Sequence, residues 1–492
     1  MSLGNRLKTG AHGAALAALC FCAGLWALPI WAQSSDLPES VTLALRQTGI
    51  PDTHLGVVVL AHDSTPLLRH GETRAFNPAS VMKLLPSLAA LDILGPAHTF
   101  KTTIKLDGAL RDGILAGNLV IEGGGDPGMT PERLWLLLRE LRQRGLRHIQ
   151  GDLLTDNRLY DLPPADPGAF DQAPLRPYNA QPAALLVNYN VQHVRLALQD
   201  DQLQARLDPP SAGIALDNRL QISRAECDAI LPRLEGAQLI LEGRIGTNPQ
   251  CGDPGRERSL ALNLQPASAA SADWLRALWA EVGGTLDGQV REGAAGPNAA
   301  PWLSFESAPL ATLVRDLNKH SNNVMTQMLY LNLGAAQFGA PATWAKAEQA
   351  LRDWLSARPG SLDKLVLQNG AGLSRLERMT AEGLARLLVW AAREPAQVEF
   401  IAALPAVGLE GTQKNRLMRH AGEAWLKTGS LNGVRSLAGY VRGPGGRLRP
   451  FVCLINHPQA VAAQPVQDAL LDWARQTPDP SVSPTVSPVN QH

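Results

Sequence analysis

The sequence has no net charge: Lys plus Arg number 45 and Asp plus Glu number 45. No overall field draws such a chain toward a polyanion, which argues against nucleic acid as a partner. It also lacks metal-site spacing. Its 11 histidines form no His-x-x-x-His or His-x-His pair, so neither a zinc site nor another cofactor is expected. The glycine run EGGGDPG, Glu122 to Gly128, lacks the Lys-Ser/Thr of a phosphate loop and reads as a turn, with Asp126 as a turn residue. No repeat of solenoid period stands out. Cysteine is scarce, with five in 492 residues.

Two of those five, Cys20 and Cys22, fall in an N-terminal segment that begins with Arg6 and Lys8 and runs apolar from Ala14 to Leu28. Pro29, Ile30-Trp31-Ala32 and polar Gln33-Ser34-Ser35 follow, so residues 1–32 read as a secretory signal cleaved after Ala32. Left uncleaved, the same stretch is close to spanning length and would hold the chain at a membrane surface. Leu19 and Phe21 stand where a lipoprotein signal would want a small residue before its cysteine. Export leaves Cys227, Cys251 and Cys453. In an oxidising compartment the first two either pair or remain free thiols, while Cys453, inside the apolar Phe451 to Ile455, reads as a buried strand residue.

At roughly 150 residues per domain the length allows two to four domains. The apolar run Leu55 to Leu60, the turn Asp63 to Pro66 and Leu67-Leu68 predict a hairpin. A helix is then expected from Asn77 as cap and Pro78 as first residue to Gly95-Pro96, kinked at Pro86, which has no amide to return to Met82. Residues 98–300 alternate in short segments between Gly, Pro and Asp turns and read as mostly β, with helices near Pro131 to Arg144 and Ala272 to Val282. Helical periodicity resumes over Pro309 to Leu333 and Thr343 to Trp354. A second hairpin joins Ser436 to Val441 with Leu448 to Ile455 through Gly443 to Gly446, and an amphipathic helix covers Val466 to Arg475. The Pro/Ser-rich residues 477–492 read as a disordered tail.

The chemistry begins with FNPASVMK, Phe76 to Lys83. Ser80 lies near a helix start, where backbone amides lack helical partners and can bind an oxyanion. Lys83, three residues on, shares its face and is a base for the hydroxyl once burial or a neighbouring cation lowers its pKa. The spacing alone is cheap, because Ser361-Leu362-Asp363-Lys364 has it too. Ser-x-Asn occurs at Ser321-Asn322-Asn323 and again at Ser430 to Asn432, and Lys-Thr-Gly at Lys427-Thr428-Gly429 and again at Lys8 to Gly10. Only Ser80/Lys83, Ser321/Asn323 and Lys427/Thr428/Gly429 follow the chain order of the penicillin-interacting enzymes on suitable elements.

With FNPASVMK, GGGDPGM, PYNAQPAALLVNYN, NGAGLSR, LPAVGLEGT and LKTGSLNGVRSLAGYV, the chain resembles the S13 peptidases, class C low-molecular-mass penicillin-binding proteins with D-Ala-D-Ala carboxypeptidase and endopeptidase activity. The resemblance spans nearly the whole mature chain. It implies an α+β fold: a DD-peptidase/β-lactamase-like catalytic domain, an antiparallel sheet flanked by helices, split by a large β-rich insertion. The parts would be residues 33–97 and 301–476 for the catalytic domain and 98–300 for the insertion, with an inner domain at about 185–260. It implies a periplasmic enzyme acting on peptidoglycan stem peptides and inhibited by β-lactam antibiotics; no oligomeric state follows.

By the same resemblance Ser80 attacks the penultimate D-alanine, Lys83 takes its proton, and Ser321 with Lys427 carries a proton to the leaving amine. Asn323 orients Lys83 and the substrate amide. Amides of Ser80 and Ser430 form the oxyanion hole, and Lys427, Thr428 and Ser430, beside Gly429, meet the substrate carboxylate. Asp156, Tyr160 and Arg375 are positional candidates for a pocket that takes the diaminopimelate side chain. Asn369 stands where the family usually has Asp, Ala371 where it has Ser, and Asn322 where Asp is frequent. The alternatives are a β-lactamase or esterase on the same scaffold, differing in how fast water clears the acyl-enzyme, and a non-catalytic wall-binding protein, against which the intact catalytic set argues.

Overall fold

The computed structural model describes residues 37–199, 202–251, 256–358 and 364–479. The signal segment, Ser361 of the second Ser-x-x-Lys pattern and the chain after Asp479 lie outside them. Before the insertion come α1 (Glu39–Thr48), β1 (Leu55–Leu60), β2 (Pro66–His70), a 3₁₀ turn (Ala79–Lys83) and α2 (Leu84–Ile93). After it come α3 (Leu310–His320), α4 (Asn323–Phe338), α5 (Trp344–Ser356), α6 (Ala381–Ala391) and α7 (Gln397–Ala403). Strands β3 (Ala424–Leu431), β4 (Val434–Arg442) and β5 (Leu448–Asn456) and helix α8 (Gln464–Gln476) follow.

The two halves meet in one five-stranded antiparallel sheet, β3-β4-β5-β1-β2. Every residue of β1 is buried, because both faces of the sheet are covered. Val57 and Val59 join a core with Val41 and Leu45 of α1 and Leu470 of α8; Val58 and Leu60 join one with α2, α4 and α6. A strand buried on both sides has no polar face to show, which accounts for the unbroken apolar run. Cys453 is buried in that sheet, and burial pushes its thiol up to about 12, so it packs as an apolar residue.

The insertion leaves after α2 and returns before α3 along adjacent strands. Lys101–Arg111 pairs antiparallel with Ala300–Glu306, and beyond their ends Ser307 N donates to Phe100 O (2.9 Å) and Leu310 N to His98 O (2.8 Å). Because its two ends are zipped together, the insertion leaves the main sheet undisturbed. These strands belong to a seven-stranded sheet backed by helices Pro131–Gln143 and Ala267–Glu281, whose leucines and tryptophans fill one core. Residues 192–262 build a three-stranded and a four-stranded sheet around a separate small core. There Cys227 and Cys251 form a disulfide between exposed positions. Cys227→Ser is expected to lower the stability of this small module by about 3 kcal/mol, through the lost loop constraint. Urea unfolding followed by hydrogen exchange would localise the loss to residues 192–262.

Two expectations change. The helix drawn from Asn77 starts as the 3₁₀ turn, and α-helical bonding begins only at Leu84. Pro86 is the reason, since without an amide it cannot draw Met82 into the α ladder. It sits instead in the first turn of α2, where amides have no helical partner, and α2 runs through it without a break. Residues 477–479, expected in the disordered tail, are also ordered. Asp479 is buried against Arg449, itself fully buried, with Oδ1 2.5 Å from Nη2, so residues 477–479 are held on the domain.

Candidate active site

The 3₁₀ turn puts Ser80 and Lys83 side by side. Asn77 shapes that turn: its Oδ1 accepts the amide of Ala79 (2.8 Å), its Nδ2 donates to Ser374 O (2.8 Å), and its backbone exchanges two hydrogen bonds with the Asn456 side chain at the end of β5. Ala79 takes a left-handed φ of 47°, which turns the chain sharply just before the serine. Lys83 Nζ then donates to Ser80 Oγ (2.9 Å), Asn323 Oδ1 (2.6 Å) and the Ala371 carbonyl.

Ser321 caps α3 in the left-handed region, with φ 56°, and α4 begins two residues later. Its neighbour Asn322 is the N-cap of α4, with Oδ1 accepting from Met325 N (3.1 Å), so the middle residue of the triplet turns to its own helix. This leaves Ser321 and Asn323 facing the lysines. Lys427, on edge strand β3, donates to Ser321 Oγ (2.7 Å) and to Thr428 O (2.9 Å). The adjacent Thr428 hydroxyl donates to that of Thr412 (2.9 Å). Gly429 passes so close to the turn that a Cβ there would lie 2.4 Å from Pro78 O and 3.1 Å from Ser80 N. The glycine of Lys-Thr-Gly is therefore what lets β3 lie against the serine.

Both amines are fully buried. Loss of solvent holds Lys83 well below the ordinary lysine value, the cation at Lys427 adds to this, and Glu377 pulls the other way. Burial lowers Lys427 to about 7. A buried amine with a lowered pKa at hydrogen-bond distance from a serine hydroxyl has the chemistry a general base needs beside a nucleophile. Among the described residues no three His, Cys, Asp or Glu side chains gather as metal ligands.

A family model described as the D-Ala-D-Ala carboxypeptidase 3 (S13) family matches residues 37–477. The chain belongs to the S13 family. As an S13 enzyme it is a serine-type DD-peptidase. It is 29% identical over 467 residues to the D-alanyl-D-alanine carboxypeptidase of Actinomadura sp. (strain R39), covering 89% of this chain and 84% of the relative. The solved penicillin binding protein 4 (dacB) of Haemophilus influenzae shares its fold, with a TM-score of 0.71 at 20% identity over 89% of this chain and 99% of that one. The same protein complexed with a β-lactam matches with a TM-score of 0.68 at 21% identity, covering 89% and 98%. The S13 architecture, a catalytic domain split by a β-rich insertion, is the one described above.

Of the other predicted site residues, Thr428, Gly429 and Ser430 continue β3 from Lys427, whereas Asp156, Tyr160 and Arg375 stand on other elements. Ser430 is exposed on β3. Arg375 is exposed at the end of the 368–375 loop, where its Nη1 donates to Asn432 O (3.2 Å) and its guanidinium lies 4.6 Å from the Phe170 ring of the insertion. Asp156 is buried and bound by Arg158 (2.7 Å). Tyr160 is buried too and donates to Asn332 Oδ1 of α4 (2.8 Å), on the wall of a cavity of about 1090 Å³ that none of the five lines. Thr412 and Glu377 went unread in the sequence. The first lies in the quoted LPAVGLEGT, a stretch with no chemistry of its own, and the second just after NGAGLSR, with nothing local to mark it as buried.

Proposed function

We propose that this enzyme cleaves the terminal D-Ala-D-Ala bond of peptidoglycan stem peptides, and D-Ala-diaminopimelate cross-links, through an acyl-enzyme on Ser80. The observation that carries the reading is the buried, depressed-pKa Lys83 amine 2.9 Å from Ser80 Oγ. Ser80 Oγ attacks the penultimate D-alanine carbonyl and its proton passes to Lys83 Nζ. The amides of Ser80 and Ser430 receive the oxyanion. As the carbon–nitrogen bond breaks, the Ser321 hydroxyl passes its proton to the departing amine and takes one from the Lys427 ammonium that holds it; water then hydrolyses the ester and restores the Ser80 hydroxyl. Lys427, Thr428 and Ser430 hold the carboxylate that both D-Ala-D-Ala ends and cross-links present beside the scissile bond, so one centre serves both. A β-lactam acylates the same serine.

For the diaminopimelate side chain Arg375 is the group that meets substrate, at the seam between insertion and main domain. Asp156 acts through its partner Arg158, and Tyr160 through its hold on α4. The functional parts are residues 33–97 and 301–476, carrying the chemistry, and 98–300, walling the groove. The N-terminal segment sends the chain to the periplasm.

Labelling with a fluorescent penicillin followed by peptide mapping tests the assignment, with label expected on the peptide containing Ser80. Label on another residue overturns it. Digestion of purified cross-linked muropeptides tests the second activity: release of D-alanine from monomers with dimers left intact would remove the endopeptidase.

A further inference from the structure

Glu377 is fully buried and has no part in the scheme above. Its Oε1 accepts the amides of Gln368 (3.2 Å) and Gly370 (3.1 Å), the Asn369 amide between them also points its dipole at the carboxylate, and Oε2 has no hydrogen-bond partner within bonding geometry. Those amides belong to the loop whose next residue, Ala371, presents its carbonyl to Lys83 Nζ. A neutral side-chain amide has an oxygen that could accept the same two bonds. Shaping the loop therefore does not explain why a carboxylate, costly to bury with an unpaired oxygen, stands there.

The surroundings supply a reason for the charge. Asn369 accepts from Ala371 N (2.9 Å) and donates to Leu373 O (2.9 Å), so it shapes the loop without charge. The titratable groups around Glu377 are Lys83 from the 3₁₀ turn and Tyr330 from α4, whose ring a Cβ at Gly370 would approach to 3.0 Å. Lys427 from β3 acts on Lys83, and Glu348 and Arg352 of α5 act on Tyr330. Two buried amines thus act on one another, and Glu377 is the carboxylate acting on Lys83.

We propose that Glu377 is a positioning residue for Lys83: it ties down the loop that offers the Ala371 carbonyl to Lys83 Nζ, and it supplies a buried negative charge that acts on Lys83. The inference rests on Lys83 being the base for Ser80. Burial pushes the Glu377 carboxyl up to about 7, against the pull of the loop amides and Lys83. Above that pH it is anionic and raises Lys83, offsetting part of the effect of Lys427. Removing the charge must therefore lower the Lys83 pKa, and the neutral amine then persists to lower pH.

The test is the pH dependence of acylation by a chromogenic penicillin, for the wild type, Glu377→Gln and Glu377→Asp, with thermal melting to confirm folding. Glu377→Gln keeps an acceptor for the loop amides and is expected to move the acid limb about one pH unit lower. Glu377→Asp keeps the charge on a shorter arm and is expected to leave the limb in place while slowing the plateau about tenfold, since the Ala371 carbonyl is held less firmly. A limb unmoved in Glu377→Gln, or moved equally in both, overturns the proposal. Should Glu377→Gln not fold, Glu377→Asp decides alone: a displaced limb or an unchanged plateau overturns it. Failure here leaves Lys83→Met slow to acylate, whereas failure of the underlying reading leaves Lys83→Met within tenfold of the wild type.

Discussion

Lys83→Met is expected to slow acylation of Ser80 by about 10³–10⁴-fold, measured by stopped flow with a chromogenic penicillin. The side chain is fully buried, so a residue of similar length and no charge fills the space and isolates the chemistry. Without the amine the Ser80 proton has no acceptor at bonding distance, and a serine hydroxyl near neutrality is a weak nucleophile. The methionine also leaves Asn323 Oδ1 and Ala371 O without their donor. A stability loss of about 1–3 kcal/mol per unpaired group should accompany the kinetic defect. The two effects separate by substrate concentration, because saturating penicillin cannot rescue a missing base. In the wild type, acylation should rise with pH and level off below the ordinary lysine range, since Lys83 is held well below it. A Lys83→Met protein that acylates within tenfold of wild type would rule out the amine as base.

Gly429→Ala should cost about 10²-fold or more in the same measurement, although it adds one methyl group and touches no catalytic side chain. The added carbon would lie 2.4 Å from Pro78 O, 3.1 Å from Ser80 N and 3.2 Å from the Ala79 Cβ. The nearest of these is a backbone oxygen in a turn pinned to Ser374 and Asn456, with no flexible arm to swing aside. Either β3 shifts outward, carrying Lys427 and Thr428 from Ser321, or the turn rotates and Ser80 loses Lys83. Lys427 and Ser80 separate in both cases. An alanine variant with wild-type acylation would show that β3 can retreat without cost, and that the close approach is not required.

Much of this was legible because the signals were local. The Val-rich run at Leu55 and the Gly-Pro-Gly-Gly at 443–446 mark two of the three hairpins of the central sheet, while the one joining β3 to β4 went unread. Order along the chain was enough to choose Ser321 and Lys427 over their duplicates, and the structure joins them at 2.7 Å. What was missed is tertiary. Asn77-Pro78 reads locally as an α cap, while the 3₁₀ turn owes its form to Pro86 downstream and Asn456 far away. At Ser321 the left-handed backbone, which no local signal marks, is what lets Ser321 and Asn323 face the lysines together. Helices α1, α6 and α7 went unread. Glu377 could not be found because an acidic residue signals solvent unless its neighbours are known.

The central sheet also orders events in time. Strand β1 lies between β2, its hairpin partner, and β5, which begins almost four hundred residues later at Leu448. A chain made from its N-terminus must therefore keep Leu55–Leu60 and the nucleophile turn waiting while the whole insertion emerges and folds. The insertion has cores of its own and zips its ends by adjacent strands, so it can be finished first. Closing so long a loop is slow. Ser80 meets Lys427 only when the last hairpin docks, and a growing chain is a latent hydrolase until synthesis is nearly complete.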